Sequence, residues 1–87
     1  MTAVSDVVSR DELRDMMNAI LAKQGKQPPT SEDDDLRTVG FRSLDFSELA
    51  LRVEDEIGEE LNFDAPGLRQ IATVGDVLDF IERLQTL

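Results

Sequence analysis

Eighty-seven residues carry nineteen acids against nine bases, with no histidine and no cysteine, for a net charge of −10. A chain of this length makes one domain and buries a modest share of its surface, so an enclosed multi-residue active site is not expected. The missing side chains remove the commonest general base, the commonest metal ligands and the strongest nucleophile, and the charge disfavours nucleic-acid backbones and anionic lipid surfaces.

The stretch Met1 to Arg10 has neither a basic n-region nor an apolar h-region, and no apolar run reaches the length of a membrane span. A soluble, cytoplasmic, monomeric domain with a flexible tail over residues 1–8 is expected. From Ser9 onward, Leu13, Met16, Met17, Ile20 and Leu21 recur at i, i+3, i+4, i+7 and i+8, a single apolar stripe on a helix. Ser9 and Glu12 have the spacing of a capping box, and Gly25 with Pro28 and Pro29 supplies the stop, so the first helix is placed at Arg10 to Lys23.

Gln24 to Arg42 contains Pro28, Pro29, Gly40 and the acidic run Glu32 to Asp35, and reads as a long loop pinned by Leu36, Val39 and Phe41. Asp33 and Asp35 have the alternation of a calcium loop. No glycine follows at the sixth position, however, and Leu44 stands at the twelfth, where a glutamate is required. No metal ligands are assigned.

The second helix is placed at Ser43 to Glu60, with Gly58 a weak point near its end. At 100° per residue Phe46, Leu49, Ala50, Val53 and Ile57 share one side, while Leu44, Ser47, Glu48, Leu51 and Asp55 share the other. The first stripe is core. The second is acidic with two leucines set into it, as a face made for a partner would be.

Asn62 to Gln70, with Pro66 and Gly67, leaves room for a short helical turn with Leu68 and Ile71 inward. Thr73 and Asp76 then form a second capping signature, and Val74, Val77, Leu78, Ile81 and Leu84 mark a last helix over Val74 to Gln85. Strand-like alternation is absent. The fold expected is all-α, a small four-helix bundle of three longer helices and one short one, with a long first loop.

Ser43 is open to two readings: an ordinary N-cap serine, or an acceptor modified by another enzyme. Residues 43–64 hold eight acids and one base, Arg52, which fits a solvated face or a partner face. A helix start favours an anion through its free N–H groups and macrodipole, and Arg42 adds positive charge. No histidine or adjacent lysine activates the hydroxyl, so Ser43 is not a catalytic nucleophile and the chain is not read as an enzyme.

Val39-Gly40-Phe41-Arg42-Ser43-Leu44-Asp45, with Glu48-Leu49 downstream and Thr73-Val74-Gly75-Asp76-Val77-Leu78 opening the last helix, resembles acyl carrier proteins of fatty-acid and polyketide synthesis. The resemblance runs from about Leu13 to Leu84. It implies that Ser43 takes 4′-phosphopantetheine from coenzyme A through a phosphopantetheinyl transferase, and that the arm's thiol holds acyl groups. It further implies that Asp45, Glu48, Glu54 and Asp55 meet basic patches on acyltransferase, ligase and ketosynthase-type enzymes, with Leu44 and Leu51 between the charges. Two departures stand out against the family: Arg42 replaces the usual aspartate before the serine, and the Leu61 to Thr73 connection is slightly long. Both lean toward a specialised pathway. The alternatives are an aminoacyl or peptidyl carrier, and an acidic interaction module without a prosthetic group.

Overall fold

The computed structural model describes residues 7–61 and 69–85. Helix α1, Arg10–Lys23, begins on the expected capping box: the Glu12 N–H donates to Ser9 Oγ at 3.2 Å, and the Ser9 N–H donates back to Glu12 Oε1 at 3.3 Å. Its buried stripe is Leu13, Met17, Ile20 and Leu21. The chain leaves α1 through Gln24 and Gly25, the latter at φ 73°.

The first loop is not helix-free. Asp35 caps a four-residue helix α2, Leu36–Val39, by accepting the Arg37 N–H at 2.7 Å, and Gly40 ends it in the left-handed region. This corrects the expectation of an uninterrupted loop from Gln24 to Arg42. Leu36 and Val39 rest half-buried on the core, and Phe41 is buried, which is the pinning the apolar positions implied.

Helix α3 spans Ser43–Ile57 and stops three residues short of the expected Glu60, because Gly58 adopts φ 72° and donates its N–H to Glu54 O. Its core face is Phe46, Leu49, Ala50 and Val53. The last helix, α4, spans Val74–Gln85 and buries Val74, Val77, Leu78, Phe80 and Ile81. Thr73 and Asp76 cap it as expected: the Asp76 N–H donates to Thr73 Oγ1, and the Thr73 N–H to Asp76 Oδ2. The short turn expected over 62–70, with Leu68, falls largely on residues outside those described; Ile71 is half-buried against the core.

Helix α1 packs on both α3 and α4, and the Phe46 and Phe80 rings meet across α3 and α4 with centroids 5.8 Å apart. The first loop closes the bundle by docking on the start of α4. Asp34 O accepts from Val74 N, Glu32 O accepts from Gly75 N, and the Leu36 N–H donates to Ala72 O, around one antiparallel bridge between Asp35 and Thr73. Those carbonyls satisfy helix-start N–H groups that would otherwise face an orphan terminus. At Gly75 a Cβ would lie 3.2 Å from Glu32 O, tighter than an ordinary contact, so a larger residue there would push the loop back by a few tenths of an ångström.

Across the bundle, Arg10 bridges three segments: its guanidinium reaches Glu32 in the loop at 2.5 Å and Asp79 at 2.8 Å and Glu82 on α4. Of the tail expected over residues 1–8, residues 1–6 lie outside those described, and Val8 is packed on the bundle. That residue is buried, donates its N–H to Gln85 Oε1 at 2.5 Å and accepts from Gln85 Nε2 at 3.1 Å. The bundle is all-α with three longer helices, and among the described residues no helix is long and apolar enough to cross a membrane.

Candidate functional site

The start of α3 is held from two sides. Gly40, at φ 86°, turns the chain out of α2, and the Lys26 side chain lies across it and donates from Nζ to Gly40 O at 2.6 Å. Phe41 then drops into the core, while Arg42 and Ser43 are exposed. Arg42, not Ser43, is the N-cap residue; Ser43 occupies the first helical position. The N-cap reading of Ser43 is thereby corrected by one residue, and its hydroxyl has no hydrogen-bond partner among the described residues.

Arginine has no acceptor, so it cannot cap a helix through its side chain. Only the return half of a capping box forms: the Arg42 N–H donates to Asp45 Oδ2 at 2.8 Å. The N–H groups of the first turn are left for whatever sits at Ser43. A phosphodiester there would find those donors, the positive end of the macrodipole and an exposed guanidinium, so the residues fit the group that the resemblance implies.

Asp45 departs from its expected place on the partner face. It is buried, and its second oxygen accepts from Gln24 Nε2 at 2.6 Å, so the carboxylate ties α1 to the start of α3. Glu48 is half-buried between Lys23 Nζ at 2.6 Å and Arg52 at 2.9 Å, and these hydrogen bonds, Lys23 first, hold its carboxyl below the usual range. Glu54 accepts the Leu61 N–H at 2.7 Å. Leu44 and Leu51, by contrast, are 81% and 60% exposed, and Asp55 is exposed beside them. The outer face of α3 is thus more apolar and less freely charged than its composition implied. Gln24 and Lys26 were not singled out in the sequence, because their partners lie 21 and 14 residues away.

Ser43 also borders a cleft of about 600 Å³ between α2, α3 and α4. Buried or half-buried Leu36, Phe41, Phe46, Ile71 and Val77 make its apolar lining; exposed Arg37, Arg42 and Ser47 join Ser43 in its polar lining. Among the described residues no group of three acids, histidines or cysteines is disposed to hold a metal ion.

No family model matches the chain, and no solved structure matches it. Among curated proteins, the chain is 40% identical to the acyl carrier protein of Phaeodactylum tricornutum over 70 residues, which cover 77% of this chain and 90% of that relative. An identity of that level over nearly the whole of the relative, on an all-α bundle, means that the chain belongs to the acyl carrier protein family and is a carrier, not an enzyme.

Proposed function

We propose that the chain carries acyl or polyketide intermediates on a 4′-phosphopantetheine arm attached to Ser43 and presents them to biosynthetic enzymes. The observation that carries this reading is an exposed, unpartnered hydroxyl at the first position of a fifteen-residue helix whose opening turn lacks a side-chain cap. When bound, the arm supplies a thiol on which an acyl group is held as a thioester, the one function a chain without cysteine cannot supply itself. The protein's own residues fix the point of attachment. Lys26 and Asp45 set the path of the backbone from Gly40 into α3, and Phe41 anchors it in the core between them.

Leu44, Leu51 and Asp55 supply the exposed part of the docking face, and Glu48 adds a carboxylate already paired with both Lys23 and Arg52. Exposed ion pairs contribute roughly 0–1 kcal/mol each, so such a face binds basic partners briefly and releases them. The last turn of α3 contains Glu54, Asp55 and Glu56 and no base, at the helix end where acids are unfavourable. A stability cost retained on an exposed surface is consistent with a face kept for partners. The phosphopantetheinyl transferase is the first of these; acyltransferase, ligase and ketosynthase-type enzymes with basic patches are the others.

The test is incubation with coenzyme A, magnesium and a broad-specificity phosphopantetheinyl transferase, followed by intact-mass measurement. A gain of one phosphopantetheine mass that is abolished in Ser43→Ala is expected. No gain, or a gain that survives the substitution, overturns the reading.

A further inference from the structure

The bases of this acidic chain are mostly occupied. Arg10, Arg14, Lys23 and Arg52 sit in ion pairs, and Lys26 is committed to Gly40 O. Arg37 and Arg42 make no ion pair among the described residues, although nineteen acids are present, and both guanidinium-bearing residues line the cleft that Ser43 borders. Two elements converge to place them there: Arg37 comes from α2 and Arg42 from the cap of α3.

We propose that this cleft receives an acyl group ending in a carboxylate, its methylenes against Phe41, Phe46 and Ile71 and its acid against Arg37, with Arg42 shared between that acid and the phosphodiester at Ser43. The inference rests on Ser43 being the attachment point. The cleft is of a size that takes a small ligand, and its pairing of an apolar interior with a few placed polar groups is the usual form of such sites. A guanidinium fork matches a carboxylate bidentately, whereas it has nothing to offer an amine or a methyl terminus. The surrounding charge bears on the choice: in a protein of net charge −10 an anion is repelled by most of the surface, and the guanidinium groups of Arg37 and Arg42 are unpaired among the described residues, although the Asp35 and Asp45 carboxylates accept their backbone N–H groups.

The experiment loads the chain with hexanoyl and with adipoyl groups, equal in carbon count and differing by the terminal acid, and compares both with the unacylated arm-bearing form. The adipoyl carboxyl is labelled with carbon-13 and titrated by NMR, with free adipoyl-pantetheine as reference. Left in solvent beside an acidic helix, that carboxyl binds protons more tightly than the reference. Held by Arg37, it binds them about threefold to tenfold more weakly, and the effect disappears in Arg37→Gln. The Arg37 Nε resonance shifts in the adipoyl form and in neither of the others. A carboxyl that titrates at or above the reference, or an Arg37 resonance that already shifts in the unacylated form, overturns the proposal while leaving the attachment at Ser43 standing. Failure of the chain to load at all overturns the attachment and this inference with it.

Discussion

Gln24, at the C-terminal cap of α1, donates to Asp45 Oδ1 at 2.6 Å, while the other Asp45 oxygen accepts the N–H of Arg42. One buried carboxylate thus couples the end of the first long helix to the residue before Ser43. Replacing Asp45 by alanine leaves both donors without this acceptor and is expected to cost about 1–3 kcal/mol in urea unfolding. Gln24→Ala should cost less, since Asp45 keeps the Arg42 N–H. In a double-mutant cycle the two changes should be non-additive, and strict additivity would separate the residues.

Arg42 gives α3 a cap without an acceptor, so Arg42→Ser should stabilise the chain by about 0.5–2 kcal/mol by supplying a hydroxyl to the first-turn N–H groups. Equilibrium unfolding of the unmodified protein measures this directly. The same substitution removes a positive charge beside Ser43. A slower transferase reaction in a more stable protein would separate the electrostatic role of Arg42 from its structural one.

Asp76 accepts backbone hydrogen bonds from Ala72 first and Thr73 second, which hold its carboxyl below the ordinary aspartate value of 3.8. A carboxyl lowered on folding contributes stability that is present in full above its unfolded value and lost as the pH falls through the folded one. The stability gap between the wild type and Asp76→Asn is therefore expected to be constant near neutrality and to close as the solution is acidified below the carboxylate range. A gap that widens with acid would reverse the sign and refute the assignment.

Where structure was legible in the sequence, the determinants were local. The capping pairs Ser9 with Glu12 and Thr73 with Asp76 lie three residues apart, and α1 and α4 begin where those pairs place them. The exposed pair Leu44 and Leu51 followed from periodicity alone. The misreadings have non-local causes. Helix α2 is too short to show a period, and it is braced by the Leu36 to Ala72 hydrogen bond across 36 residues of sequence. Asp45 was assigned to the partner face by the family resemblance, but it is buried and engaged by Gln24 from the end of α1, and Lys23 likewise reaches Glu48, which helical angle had placed on that face. Gly58 did carry a local signal; the acids beyond it, good helix formers by propensity, favoured the longer helix that its left-handed backbone ends.

The C-terminal turn of α3 offers a test of stability held back for function. Glu56 is exposed and lies beside the negative end of the helix dipole, so Glu56→Lys should stabilise the chain by about 0.3–1 kcal/mol at low ionic strength, an effect that salt erodes. If that surface meets basic patches on partners, the same variant should bind or react with them more weakly. A variant that is both more stable and equally well recognised would remove Glu56 from the docking face.

Arg10 holds Glu32, Asp79 and Glu82 around one guanidinium, and with Glu32 as the first contributor these hydrogen bonds raise its pKa above the ordinary arginine value. Removing it does more than delete pairs, because three carboxylates on two segments are left facing one another. Arg10→Ala is expected to lower the melting temperature by on the order of a few degrees at low salt. In the wild type, added salt should raise the melting temperature, since the acids outnumber the bases by ten and screening relieves their repulsion. The gain should be larger in Arg10→Ala, where salt replaces the missing cation, so the two melting curves should converge as ionic strength rises. Parallel curves would mean that Arg10 acts by packing its stem, not by charge.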